Sequence, residues 1–280
     1  MTSTISRRHL CLGLAGSTGA VQASATIART ASGYTDPRKV LLWESTRKEV
    51  RELLDAGQLK AMIIPTASTE QHNEHLAMIH DTASVTLVAQ QAALRLYPRV
   101  MVTTPVAIGI SPHWMDRKGT LSLRKETFLN VVYDVCESLK THGVKNILVL
   151  NGHGGNEAPL RGAIPEFRSK LGLNLQFDSY WAAYTPEIVK KYMESGVVPG
   201  HSAEFETSFA MAAFPERIHW EGVDYEKVKP HLGIKDPESR RQDEQFAREA
   251  KLATTAKGEA MIAVAVEWTA ARLERMIAAE

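Results

Sequence analysis

Four short apolar runs punctuate the chain: "LKAMIIPTAS" (59–68), "RVMVTTPVAIGI" (99–110), "KNILVLNGHGGN" (145–156) and "LNLQFDSYW" (173–181). Each is followed by a stretch with helical period: 81–98, 123–143, 157–172 and 202–215. Runs of this length read as strands, the first and third apolar enough to be buried on both faces. Strand and helix in strict alternation imply an α/β fold, a largely parallel sheet flanked by helices on both faces. In such folds polar sites gather beyond the carboxyl ends of the strands.

The punctuation agrees with this order. "KVLLWESTRKEVRELLDAG" reads as an amphipathic helix stopped by Gly57. Asp81 is expected at the N-cap of the next helix, with Pro98 beyond its end. The helix after 156 is expected to bend near Pro165, and residues 243–280 read as helices closing the chain.

The chain has 280 residues, 44% hydrophobic and 23% charged, enough apolar material for one sizeable core. A formal net charge of +1 gives no electrostatic grip on nucleic acid or anionic lipid, so neither is expected as a partner. Nothing in the body of the sequence is apolar for long enough to suggest a membrane anchor. The first residues differ from the rest. Arg7-Arg8, a modestly apolar stretch and Ala23-Ser24-Ala25 resemble a twin-arginine signal with a cleavage site. We therefore divide the chain into a signal (1–25), a linker (26–39) and one domain (40–280), and expect a periplasmic or secreted protein. Cys136 would then be the lone cysteine of the mature chain, expected as a buried core residue.

Three polar clusters fall just after predicted strands. "STEQHNEHLAMIHD" (68–81) offers Glu70 and His72 at a spacing that puts both on one side of an extended chain, with Asp81 close enough to turn back. "NGHGGN" (151–156) holds His153 between glycines at a strand tip. "GHSAEFETS" (200–208) puts His201 and Glu204 three apart, on one face if the helix starts there, with Glu206 off that face. Imidazole with carboxylate suits zinc or manganese, and a carboxylate can bridge two cations. A dinucleotide loop is excluded, because Glu157 stands where G-x-G-x-x-G needs glycine.

Glu70-Gln71-His72, Asp81, the Asn151–Asn156 turn and His201-Ser-Ala-Glu204-Phe-Glu206-Thr-Ser, in this order and spacing, resemble the creatininase family of metal-dependent amidohydrolases. "GTLSL" (119–123) is similar to a further family segment. The resemblance covers about residues 40–220. It implies a three-layer sandwich and two divalent ions per chain, zinc first, with manganese or iron as alternatives. One ion would be held by Glu70, Asp81 and His153, the other by His72, Asp81 and a further Glu. In creatininase that last Glu lies two residues after the turn histidine, where this chain has Gly155. Relatives with the N-G-H-G-G-N turn show H-A-G-E in the third motif, which points to Glu204 as the replacement. His201 would be the catalytic proton donor, beside Glu204, and Gln71 and Asn156 would orient ligands.

The implied activity is hydrolysis of a C–N amide bond in a small substrate by a metal-activated water. The substrate could be creatinine-like, another cyclic amide or a formamide. A metallopeptidase of the same family, or a non-catalytic metal- or ligand-binding protein on the fold, are the competing readings. Relatives form hexamers, so a homo-oligomer is expected. His113, Trp114 and Trp181 follow strands and are candidates to line a pocket, whereas His75 and His80 read as surface groups or as neighbours of the ligands.

Overall fold

The computed structural model describes residues 38–230, 233–234 and 236–279. The signal at 1–25 and nearly all of the 26–39 linker lie outside the described residues. Among those described, the elements are α1 (Arg47–Asp55), β1 (Ala61–Thr66), α2 (His80–Arg95), β2 (Val100–Val102), α3 (Lys125–Thr141), β3 (Asn146–Asn151), α4 (Gly154–Leu171), β4 (Asn174–Ser179), α5 (Pro186–Tyr192), α6 (Glu204–Ala213), α7 (Tyr225–Val228), α8 (Pro237–Ala250) and α9 (Thr255–Ala278), with short 3-10 turns between.

The four expected strands form one sheet in the order β2-β1-β3-β4, and every pair is parallel. Strand alternation sends Met62 and Ile64 of β1, Ile147 and Val149 of β3, and Leu175 and Phe177 of β4 to one face. There they bury against Phe128, Val132, Cys136 and Leu139 of α3 and Leu160, Ile164 and Leu171 of α4. Helices α2 and α9 cover the opposite face. The class expected from the alternation is the one found. Cys136 is fully buried in this core, and burial pushes its thiol up to about 12.

The second strand is shorter than its apolar run suggested. It stops at Val102 because the chain bulges through Pro105, whose nitrogen can donate no hydrogen bond, before Val106 returns to bridge Thr66. Helix α4 continues through Pro159 and Pro165, neither of them buried. Among the described residues no helix is long and apolar enough to cross a membrane.

From β1 the chain crosses by α2 to β2 on one side. From β2 and β3 it crosses by α3 and α4, on the other face, towards β4. The loops after β1 and β3 therefore part, and the crevice between them is the topological switch point where α/β sheets form their sites.

Candidate metal centre

The sheet's register builds the floor of the site. Thr66, Asn151 and Ser179 end three adjacent strands in line. Thr66 donates to Asn151 Oδ1 (3.1 Å), and Asn151 Nδ2 donates to Ser179 Oγ (3.0 Å) and to the carbonyl of His153 (2.7 Å). Asn151 thus fixes the backbone of His153 at the strand tip. Sequence reading treated Asn151 only as the start of the glycine turn; its place at the strand end was the available signal.

Glycines let the turn press inward. A Cβ at Gly152 would come within 2.7 Å of Val85 Cβ on α2. A Cβ at Gly155 would lie 2.1 Å from the carbonyl oxygen of Ile110 and 2.5 Å from His153 Nε2. This explains the departure noted in the sequence: no side chain fits where creatininase carries its Glu. We expect Gly155→Ala to cost about 1–3 kcal/mol through forced displacement of the 110–111 loop, and to weaken zinc binding. Thermal melts and zinc titration of the purified variant check this; a wild-type melt and affinity would refute it.

Asn156, fully buried, joins three loops. Its Nδ2 donates to Ala67 O (3.0 Å) and Asn151 Oδ1 (3.3 Å), and its Oδ1 accepts from Ile110 N (3.0 Å). It therefore holds backbone together where an orienting contact to a ligand was expected. Asn156→Ala should lose about 2–3 kcal/mol, since it strands buried backbone groups, as read by urea denaturation.

Above this floor, carboxylates and imidazoles converge. Asp81 directs one oxygen at His72 Nε2 and the other at His153 Nδ1, each at 3.0 Å. Glu70 Oε1 lies 3.2 Å from His153 Nδ1, and Glu206 Oε2 lies 3.6 Å from His72 Nε2. Two potential ligand triads result, Glu70–Asp81–His153 and His72–Asp81–Glu206, the donor atoms of each lying within 4.8 Å of one another. Asp81 belongs to both. A third grouping, Glu70–His72–His201, overlaps them. Asp81 can reach the site because α2 begins at His80, two residues earlier than an N-cap at Asp81 would give. The N-cap is Ile79, and Asp81, inside the first turn, leaves its carboxylate free.

Electrostatics demand positive charge here. Burial works against a charged His72, yet Asp81, Glu206 and Glu70 lift it to about 10. Burial likewise opposes charge on His153, and hydrogen bonds to Asp81 and Glu70 raise it to about 10. Asp81 is pushed up by burial but held far below its usual range by those two imidazoles. Burial raises Glu206 despite the neighbouring His72. Glu70 Oε2 is buried without a hydrogen-bond partner among the described residues, and His72 Nε2 makes no well-aligned hydrogen bond at its 3.0 Å approach to Asp81. Donor types, shared carboxylate and unsatisfied atoms together fit a pair of divalent cations.

One expected ligand is elsewhere. Glu204 opens α6 fully buried, accepts from the backbone N–H of Glu194 (3.1 Å) and Ser195 (2.7 Å), and pairs with Lys257 of α9 (2.5 Å). The carboxylate at the site is Glu206. His201 precedes the helix, so the three-residue spacing that joined His201 to Glu204 does not operate. Glu206, at the third helical position, folds back to accept from Ser202 N (2.5 Å), much as in a capping box, and so lies beside His72.

The remaining candidates divide. His201 Nε2 donates to the carbonyl of Gln71 (2.6 Å) and lies 2.9 Å from the Gln71 amide nitrogen, while its Nδ1 faces Glu70 Oε1 at 3.8 Å. Burial, and then the charge on His72, hold His201 well below 6.5. Trp114 is buried and stacks on His201 at 4.5 Å; His113 lies parallel to His153 at 6.2 Å. Trp181 packs edge-on against Tyr180 (5.3 Å), and no described contact joins it to the cluster. His75 and His80 are buried, not at the surface. His75 Nε2 meets Thr207 Oγ1 at 2.9 Å, and the His80 ring lies 5.1 Å from that of His72.

A parallel sheet with imidazoles gathered on a shared carboxylate at its switch point defines an α/β protein with a candidate metal centre. The family model described as creatininase, creatinine amidohydrolase, matches residues 43–273, and the chain belongs to the creatininase family. A 3-dehydro-scyllo-inosose hydrolase of Thermotoga maritima is 32% identical over 200 residues, 68% of this chain but 61% of that protein. A creatinine amidohydrolase of Pseudomonas putida is 25% identical over 254 residues, 82% of this chain and 94% of its own. The fold matches a crystal structure of creatinine amidohydrolase with a TM-score of 0.73 at 25% identity, covering 86% of this chain and 98% of that one. A creatininase described as Zn-Zn type matches at 0.72 and 24%, covering 85% and 98%, a likeness of fold.

Proposed function

We propose that this protein is a binuclear metal-dependent amidohydrolase cleaving the C–N bond of a small cyclic amide, creatinine-like compound or formamide. The observation that carries the reading is Asp81, each of whose oxygens lies 3.0 Å from an imidazole of a different triad. Glu70, Asp81 and His153 would hold one divalent ion, and His72, Asp81 and Glu206 the other. Zinc is the first choice, supported by the Zn-Zn creatininase, with manganese or iron as alternatives. When bound, the ions would polarise the amide carbonyl and make water nucleophilic at neutral pH.

The chain's own residues supply the proton path. Burial favours the uncharged form of His201, whose Nε2 donates to the Gln71 carbonyl while Nδ1 faces the cluster. It is therefore placed to take a proton from the attacking water and deliver it to the leaving nitrogen, a shuttle in place of a ready-charged donor. Trp114 shields it from solvent.

A metallopeptidase acting on a small peptide uses the same groups and is the alternative. A non-catalytic binding protein would need neither His201's open nitrogen nor two triads. Export through the Arg7-Arg8 signal, with the domain folded beforehand, and assembly into a homo-oligomer belong to the same proposal, supported by the signal's residues and by the family.

The test is product formation, by mass spectrometry, from cyclic amides including creatinine, formamides and short peptides, with metal-loaded and metal-stripped protein. Turnover that requires metal supports the hydrolase and names its bond. No turnover and no bound metal would refute it.

A further inference from the structure

Both short polar contacts of His201 are made at one atom, Nε2, to the carbonyl (2.6 Å) and the amide nitrogen (2.9 Å) of Gln71. Contacts at one atom fix one point of a ring and leave its plane to packing. Three rings supply that packing: His72 at 4.3 Å, Trp114 at 4.5 Å and within 24° of parallel, and Phe246 at 5.8 Å. His72 belongs to the centre itself, whereas Trp114 and Phe246 come from outside it.

Trp114 is held in turn. The Arg117 guanidinium lies over its indole, with Cζ 4.8 Å from the ring centroid, a cation–π contact. Arg117 Nη1 donates to both oxygens of Asp116 (2.7 and 2.6 Å), and Nη2 donates to Asp243 Oδ1 (3.1 Å). Asp243 lies on α8, and Asn73, next to His72, donates its Nδ2 to the Asp243 carbonyl (3.3 Å). Phe246 follows Asp243 by three residues, so the two share a face of the helix. One face of α8 therefore reaches His201 twice, directly through Phe246 and through the line Asp243–Arg117–Trp114.

The side chains of Arg117 and Asp243 are buried, 9% and 7% exposed. A buried ion pair is weak support for stability, because desolvation offsets the attraction and apolar side chains of like size serve as well. What it supplies is orientation. A planar guanidinium bonded to carboxylates through both Nη atoms is fixed in place, and the indole packed on it cannot turn without leaving it. A second set of the same chemistry exists, Asp178–Arg272–Trp268, with Arg272 Cζ 5.5 Å from the Trp268 centroid. No described contact joins that set to His201.

We propose that Arg117 and Asp243 are positioning residues for His201, acting through Trp114 to hold its ring against the metal centre. That this placement serves proton transfer rests on the proposed hydrolase reading; the placement itself does not.

Ethoxyformylation of His201 by diethylpyrocarbonate, followed by peptide mass spectrometry, reads how firmly the ring is held. The variants are Arg117→Met, Arg117→Lys, Asp243→Ala and, as a control, Arg272→Met, each compared with wild type after zinc loading. Arg117→Met and Asp243→Ala should speed modification of His201 about tenfold, with bound zinc at the wild-type value and the exposed His142 modified at its wild-type rate. Arg117→Lys, which keeps a cation for the indole, should recover part of the difference. Arg272→Met should leave His201 at the wild-type rate even where it lowers the melting temperature as much. A wild-type rate in Arg117→Met, or equal acceleration in Arg272→Met, would overturn the proposal. Should Arg117→Met not fold, Arg117→Lys decides alone: a rate above wild type supports the assignment and a wild-type rate ends it. For whatever amide the wild type hydrolyses, Arg117→Met should lower kcat about tenfold with KM nearly unchanged; an effect confined to KM would also count against positioning. Accelerated modification in a protein that turns over no amide would instead remove the hydrolase reading and leave the placement of His201 standing.

Discussion

Asp81→Asn should abolish binding of both metal ions and lower turnover about a thousandfold or more, since each ion contributes several kcal/mol of transition-state stabilisation. Asp81 is the one residue common to both triads and contacts both His72 and His153 at 3.0 Å. An amide in its place offers one acceptor where two are needed. Metal analysis of the purified variant gives the first readout, and activity the second; retention of two ions would end the bridging assignment.

The same geometry predicts how metal-free protein responds to pH. His72 and His153 are raised from 6.5 to about 10 in the folded state. A base whose folded pKa is raised stabilises the fold fully below its unfolded pKa, and loses that contribution as pH climbs to the folded value. Metal-stripped protein should therefore melt at progressively lower temperature between pH 6.5 and 10. Zinc-loaded protein, whose imidazoles are held as neutral ligands, should show a much flatter profile over the same window. Parallel thermal melts of the two forms make the comparison.

The second large effect separates two neighbouring glutamates. Glu206→Gln should lose one of the two ions and about a hundred- to a thousandfold in turnover. Glu204→Gln should keep both ions and instead destabilise the fold by about 2 kcal/mol. Glu204 fastens Glu194 and Ser195, in the segment leading to His201, and ties it to Lys257 on α9. Metal content and urea denaturation of the pair decide it; the opposite pattern would return the ligand role to Glu204.

Much of this was legible in the chain. Runs of strand length marked four parallel strands, three of them apolar on both faces and the fourth, Asn174–Ser179, alternating buried and half-buried residues. Polar clusters at their carboxyl ends, with glycines around His153, marked Glu70, His72, Asp81 and His153 as residues of one centre.

The choice between Glu204 and Glu206 was not legible. On a helix, residues two apart point to nearly opposite sides, so the answer depends on where the helix starts and how it is rotated. Both are set at long range. Phe205 and Phe209 are buried, each worth about 2–3 kcal/mol, and α6 packs against α9, which begins some forty residues later. His201 shows the same limit, since a residue just outside a helix obeys no helical spacing. The sequence by itself determined the sheet, the three loops that meet above it, and the types of donor they carry. Only the tertiary structure decided which carboxylate faces the centre, why Gly155 admits no side chain, and that α8 reaches His201 through Arg117 and Trp114. Each of those depends on contacts between segments far apart in the chain, and local propensity carries no information about them.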